Sequence, residues 1–218
     1  IVIINILLIV LQSNSMPFKK LHPHLKEMLA SQEITLPTPF QSASIPVIKS
    51  GSNTYCTAPK GSGRTTTLIL TTLHKLKCEE VGDAPRAIVL VENREKALET
   101  YNAFLKYIRF TTTRVYFADE KLHVDLLKSE IFDGVDVLIA TPQTLRKLSS
   151  LNGVNTTQLK IFNIDDAEFL IENSAYTGIM SITQSITKCQ FVLYSDKMIP
   201  TLKRFESYFM KHSKKIAL

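Results

Sequence analysis

Apolar residues fall along this chain in short blocks separated by stretches of helical periodicity. Arg86-Ala87-Ile88-Val89-Leu90-Val91, Val135-Asp136-Val137-Leu138-Ile139-Ala140 and Leu159-Lys160-Ile161-Phe162-Asn163-Ile164 are near-continuous apolar runs, the pattern of strands buried on both faces. Tyr55-Cys56-Thr57, Arg114-Val115-Tyr116-Phe117, Gln190 to Tyr194 and Lys215 to Leu218 add further strands. Between them, Pro17 to Ser31 carries Phe18, Leu21, Leu25, Met28 and Leu29 at helical spacing, and Gln41 opens a short helix through Ile45 that ends near the Gly51 turn. Helices are predicted after Thr66 and over Glu95 to Ile108, the latter with Ala97, Leu98, Tyr101, Leu105 and Ile108 inward. Leu122 to Ile131, Pro142 to Leu148, Ala175 to Thr187 and Pro200 to Lys211 complete the set. Strands that alternate with helices predict an α/β fold, a mostly parallel sheet with helices on both faces and ligands at the carboxyl ends of the strands.

The 218 residues fit one fairly large domain, and no internal repeat or low-complexity linker interrupts it. Ile1 to Leu11 form an apolar run without a basic leader or a small-residue cleavage site, too short to span a bilayer. The domain proper is expected over 16–218, from Met16, with 1–15 either a non-native leader or a packed first element. A formal charge of +6 is compatible with an anionic partner such as nucleic acid, and equally with a solvated basic surface. Three cysteines without metal-type spacing point to reduced thiols and a cytoplasmic setting. His22 and His24 flank a proline and read as solvated loop residues.

One stretch carries candidate chemistry. Ala58-Pro59-Lys60-Gly61-Ser62-Gly63-Arg64-Thr65-Thr66 lies between a strand and a helix, where free backbone N–H groups and the helix dipole converge on one point and favour phosphate. The alternative is a plain Gly-Ser-Gly connector. Against the pattern G-x-x-x-x-G-K-[ST], Ala58 takes the first glycine and Arg64 takes the lysine. Ala58 costs little, but a guanidinium is wider and planar where a compact ammonium reaches the β- and γ-phosphates. Upstream, the two prolines of Pro37-Thr38-Pro39-Phe40-Gln41 force an extended entry, and the Gln41 amide has the donor and acceptor to read an adenine edge. Downstream, Asp165-Asp166-Ala167-Glu168 closes an apolar strand. One carboxylate there can hold Mg²⁺ with Thr65, and a second can orient water; an ordinary acidic helix start is the alternative.

Taken in order, these motifs resemble the first RecA-like domain of a DEAD-box RNA helicase, from about Phe18 to Leu218. Pro37 to Gln41 is similar to the Q motif and Ala58 to Thr65 to the helicase phosphate loop. Leu90 to Glu95 stands at the Pro-Thr-Arg-Glu-Leu segment, Ala140-Thr141-Pro142-Gln143 at Thr-Pro-Gly-Arg, Asp165 to Glu168 at Asp-Glu-Ala-Asp, and Tyr194-Ser195-Asp196 at Ser-Ala-Thr. The resemblance implies a P-loop NTPase fold and ATP or ADP with Mg²⁺. Gln41 would contact adenine, with Lys60, Gly61, Ser62, Gly63, Arg64, Thr65 and Thr66 around the phosphates. Thr65 and Asp165 would take the metal, Asp166 and Arg64 the catalytic positions, and Arg94, Thr141 and Pro142 an RNA backbone.

Several positions depart from the family. Besides Arg64, Asp166 stands for the glutamate that acts on water, which withdraws the carboxylate by ~1.5 Å. A misplacement of about 1 Å can cost ~10²-fold in rate. Tyr116-Phe117-Ala118-Asp119 stands where a glycine pair is expected after Val115, Asp196 and Lys197 replace Ala-Thr, and Ile34 replaces a stacking aromatic. The expected function is a degenerate helicase-like domain that binds adenine nucleotide, with RNA as a candidate partner and little or no hydrolysis. Half of a helicase that needs a separate second RecA-like domain, and a protein-interaction scaffold, are the alternatives.

Overall fold

A computed structural model describes residues 16–218; the apolar stretch 1–15 lies outside the described residues. The elements alternate as the pattern predicts. Helices α1 (Met16–Lys19), α2 (Pro23–Ser31) and α3 (Pro39–Lys49) lead into strand β1 (Thr54–Thr57) and helix α4 (Arg64–Leu76). There follow β2 (Ala87–Leu90), α5 (Arg94–Leu105), β3 (Val115–Phe117), α6 (Val124–Phe132), β4 (Val137–Ala140), α7 (Pro142–Ser150) and β5 (Ile161–Ile164). A 3₁₀ turn (Ala167–Ile171), α8 (Asn173–Gln184), β6 (Gln190–Ser195), α9 (Pro200–Arg204) and β7 (Lys214–Ala217) complete the chain.

The strands form one sheet in the order β3-β4-β2-β5-β6-β1-β7, and every neighbouring pair runs parallel. Each central strand feeds two cores, because successive side chains point to opposite faces. Cys56, Val89, Ile139, Val192 and Tyr194 pack with residues of α2 to α5. Tyr55, Ile88, Leu138, Phe162 and Leu193 pack with residues of α6 to α9. The sheet is therefore covered on both faces, and the strand carboxyl ends, where β1 turns into α4 and β5 into the 3₁₀ turn, form the site edge.

Four local expectations are corrected. The first helical stretch divides in two, since Leu21 N–H bonds back to Phe18 O and Pro23 restarts the helix. In α5 the buried line is Ala97, Thr100 and Phe104, not the expected set: Leu98 and Leu105 are both 39% exposed. The Phe104 ring, wholly buried, sets the helix phase by about one residue against the pattern drawn from leucines. The last helix stops at Arg204, because Phe205 and Phe209 turn inward and stack with centroids 4.8 Å apart, with Phe205 also 5.2 Å from Tyr176. Nor are His22 and His24 solvated loop residues. His24 lies in α2 with Nε2 3.0 Å from Tyr107 O, and the Nδ1 atom of His22 is buried.

A buried ion cluster ties the sheet to the loop before β2. Asp136 is fully buried and Arg86 is 2% exposed. Asp136 Oδ1 accepts from Arg86 Nη2 at 2.7 Å and from Val81 N at 3.1 Å, while Oδ2 accepts from Arg114 N at 2.9 Å and Arg114 Nε at 3.1 Å. Burial alone would push this carboxyl up; hydrogen bonds from Arg114, Arg86 and the Val81 amide outweigh it and hold the group below the ordinary carboxylate range.

Candidate functional site

The site begins where β1 ends. Ala58 N–H bonds to Ser195 O at 3.1 Å, so the chain leaves the sheet beside β6. It then turns through Gly61 (φ 83°) and Gly63 (φ 95°), left-handed conformations that glycine takes without strain. A Cβ on Gly63 would stand 2.6 Å from Gln41 Nε2, so space as well as backbone demands glycine there. Two bonds weld the Gln41 segment to this turn. Thr38 Oγ1 donates to Ser62 O at 2.7 Å, and Thr38 and Gln41 close a reciprocal cap on α3, Gln41 Oε1 accepting from Thr38 N at 2.9 Å. Gln41 is thus only 3% exposed, with Oε1 engaged and Nε2 against the loop. Lys60 is exposed, and Ser62 Oγ is buried without a partner among the described residues, an oxygen suited to a phosphate contact.

Arg64, the first residue of α4, does not reach towards the loop opening. It is 5% exposed, its Nη2 lies 2.6 Å from Asp166 Oδ1, and its Nη1 lies 2.8 Å from Asp196 Oδ1. The second contact is an ion pair that is not aligned as a hydrogen bond, since Nη1 has no hydrogen-bond acceptor. The other oxygen of Asp166 is taken as well, by Lys96 Nζ at 3.0 Å. Asp166 itself sits at φ 47°, a left-handed turn that aspartate tolerates. Asp196 is fixed from behind, its N–H donating to Glu168 Oε1.

Beside this clamp, Thr65 Oγ1 donates to Asp165 Oδ2 at 3.3 Å, and Asp166 N–H donates to Asp165 Oδ1 at 3.2 Å. Burial, followed by the neighbouring Asp166 charge, pushes the Asp165 carboxyl up, against the opposing pull of Lys96 and Arg64. A hydroxyl and a carboxylate placed together at the mouth of a phosphate-type loop are oxygen donors of the kind that hard cations take, so the pair fits Mg²⁺ by its donor chemistry.

The residues expected near RNA lie on an adjoining face. Arg94 makes a bidentate pair with Asp119, Nε to Oδ1 at 2.7 Å and Nη2 to Oδ2 at 2.5 Å. Thr141 is buried and caps α7, its Oγ1 accepting from Thr144 N at 3.3 Å. Thr141 and Pro142 line a cleft of about 490 Å³ that also carries Glu92, Glu120, Glu172 and Arg146. The fold thus joins Gln41 to the glycine turn, Thr65 to Asp165 and Arg64 to Asp166, while Arg94, Thr141 and Pro142 stand apart from them.

Sequence reasoning missed Lys96, Asp119, Glu168 and the pairing of Asp196 with Arg64. One signal was available for the last: a wider cation in the loop and a new anion after β6 are complementary changes. Lys96 gave none, because a lysine in the first turn of a helix reads as a solvated charge.

Comparison with known proteins agrees with this fold. A family model described as DEAD/DEAH box helicase matches residues 38–205. The probable ATP-dependent RNA helicase ddx42 of Dictyostelium discoideum is 27% identical over 201 residues, covering 89% of this chain and 20% of that protein. DEAD-box ATP-dependent RNA helicase 57 of Arabidopsis thaliana is 31% identical over 151 residues, 68% of this chain and 27% of that protein. The crystal structure of a DEAD box protein from Methanococcus jannaschii superposes with a TM-score of 0.83 at 16% identity, covering 91% of this chain and 54% of that one. The chain therefore spans a fifth to a quarter of those two curated relatives and about half of that solved structure.

Proposed function

Because the chain belongs to the DEAD/DEAH box helicase family, we propose that it binds an adenine nucleotide at the Ala58–Thr66 loop and turns it over slowly or not at all. The observation that carries this reading is the double occupation of Asp166. Its Oδ1 faces Arg64 at 2.6 Å and its Oδ2 faces Lys96 at 3.0 Å, so the carboxylate is held between two cations instead of being left to swing towards a water. Gln41 would offer Nε2 to the base, and Gly61, Ser62, Gly63 and Thr66 would surround the phosphates. Thr65 and Asp165 would hold Mg²⁺, which neutralises phosphate charge when bound. Arg64 must leave Asp166 and Asp196 to meet a phosphate, so nucleotide competes with two internal ion pairs and binds weakly.

RNA is a candidate ligand of the Arg94 face, and weak contact is expected there. Arg94 is committed to Asp119, and three glutamates line the adjoining cleft. Asp119→Asn is expected to tighten single-stranded RNA several-fold in a polarisation titration at fixed salt, with Arg94→Ala in the same background returning it to the starting value. Work on RNA would further need a second RecA-like unit facing this one, from the same polypeptide or from a partner. Cys56, Cys78 and Cys189 are unpaired, which favours a reducing, cytoplasmic setting; among the described residues no helix is long and apolar enough to cross a membrane.

Calorimetric titration of ATP and ADP with Mg²⁺ tests the nucleotide reading. Wild type should bind weakly, Arg64→Lys more tightly, and Gly63→Val not at all, since its side chain would strike Gln41. Absence of binding by both wild type and Arg64→Lys at millimolar nucleotide would sink it and favour the scaffold reading.

A further inference from the structure

At the opposite end of the sheet, beside the amino end of β6, lies a cavity of about 470 Å³ that nucleotide binding does not use. Its charged lining is His22 before α2, Lys49 at the end of α3, His74 and Lys75 in the last turn of α4, and Lys77 just beyond it. No carboxylate is among the described lining residues. The two ammonium groups with defined partners meet neutral oxygens: Lys75 Nζ donates to Gln190 Oε1 at 2.7 Å, and Lys49 Nζ donates to Lys20 O.

Helix carboxyl ends attract cations, and two helices end here. Each end supplies roughly half a negative charge, about one in all. Three lysines leave an uncompensated excess of about two positive charges before either imidazole is counted. The effect is visible on His74, whose pKa is pushed down to about 4 by burial and by the like charges of Lys49, His22 and Lys75. The Nδ1 atoms of His22 and His74 are buried and have no hydrogen-bond partner among the described residues. Unbalanced cations around one cavity are what a bound polyanion would neutralise. The volume lies in the range of small-ligand pockets, and lysine serves phosphate as a point charge.

We propose that this cavity is a second, separate anion site that takes a small, multiply charged phosphate compound. The site needs nothing from the phosphate loop, which lies at the other ends of the strands. Tripolyphosphate is the probe, added to histidine-labelled protein at constant ionic strength and followed by NMR of the imidazoles. His22 and His74 should shift together along one saturating curve, and the curve should survive in Gly63→Val. Lys75→Gln with Lys77→Gln should weaken it about ten-fold or more, as loss of charged hydrogen bonds does. The exposed Lys77→Gln alone should weaken it in the same direction, which keeps the test decisive if the double variant is unstable. Shifts that never saturate, that sodium chloride reproduces, that vanish in Gly63→Val, or that ignore both lysine variants would overturn the proposal.

Discussion

Asp136→Ala is expected to lose about 3–5 kcal/mol of folding stability, a large share of what a domain of this size has. The carboxylate is fully buried and joins the sheet to two arginines and a loop amide. Removing it leaves the Arg86 guanidinium, 2% exposed, charged and without its anion, with only the carbonyls of Leu76 and Glu79 to meet. It also leaves the amides of Val81 and Arg114 unpaired. For a chain of this length the melting temperature should fall by about 10 °C, and chemical denaturation would measure the loss directly. A change below about 1 kcal/mol, typical of surface ion pairs, would show that water replaces the carboxylate. The pH dependence has a definite sign. Because the folded-state value of this carboxyl is depressed, its contribution is complete above the ordinary carboxylate range and is lost as pH falls through the depressed value. Wild type should therefore lose more stability on acidification than Asp136→Asn.

The second large effect concerns turnover. Arg64→Lys, Asp166→Glu and Asp196→Ala, combined, are expected to raise ATP hydrolysis by about 10²-fold over wild type, the scale set by a misplacement of about 1 Å. Each change undoes one part of the clamp. Lysine withdraws the second guanidinium nitrogen that meets Asp196 at 2.8 Å; alanine removes the anion that holds Arg64 back; glutamate returns the methylene that carries a carboxylate towards water. Single changes should achieve little. Asp166→Glu alone remains caught between Arg64 and Lys96, and Arg64→Lys alone leaves the carboxylate short, so the gain is expected to be strongly non-additive. Phosphate release with Mg²⁺ and RNA measures it, and adding Asp165→Ala should remove it again. A triple variant that binds ATP as tightly as Arg64→Lys yet hydrolyses no faster than wild type would refute the proposal that the clamp limits turnover.

Much of the fold was legible because its cause is local. Buried parallel strands must be apolar on both faces, and short runs such as Ile88 to Val91, set between helical stretches, fit that reading; the glycines at 61 and 63, with φ of 83° and 95°, mark the turn. The phase of α5 was not legible, because Phe104, Thr100 and Ala97 take the buried side while the more apolar Leu98 and Leu105 remain 39% exposed. In the site, the loop and the carboxylates were recognisable by type and order. Their pairings were not: Lys96 with Asp166, Asp119 with Arg94 and Asp196 with Arg64 depend on distances between elements far apart in sequence. The cationic cavity was hidden for the same reason, since His22, Lys49 and Lys75 meet only after α2, α3 and α4 pack together.

The place of β1 in the sheet sets an order of events during synthesis. Among the described strands β1 emerges from the ribosome first, but its neighbours there are β6 and β7, so residues 54–57 lack those partners until residues 190–217 have been made. By then β2 to β5 can have formed their own ladder. The loop that leaves β1 would become rigid late, and the nascent chain would carry the Tyr55-Cys56 segment without those partners while residues 58–189 are made. Chaperone dependence and truncation before residue 190 should therefore tell most on this first strand, although it lies far from the truncated end.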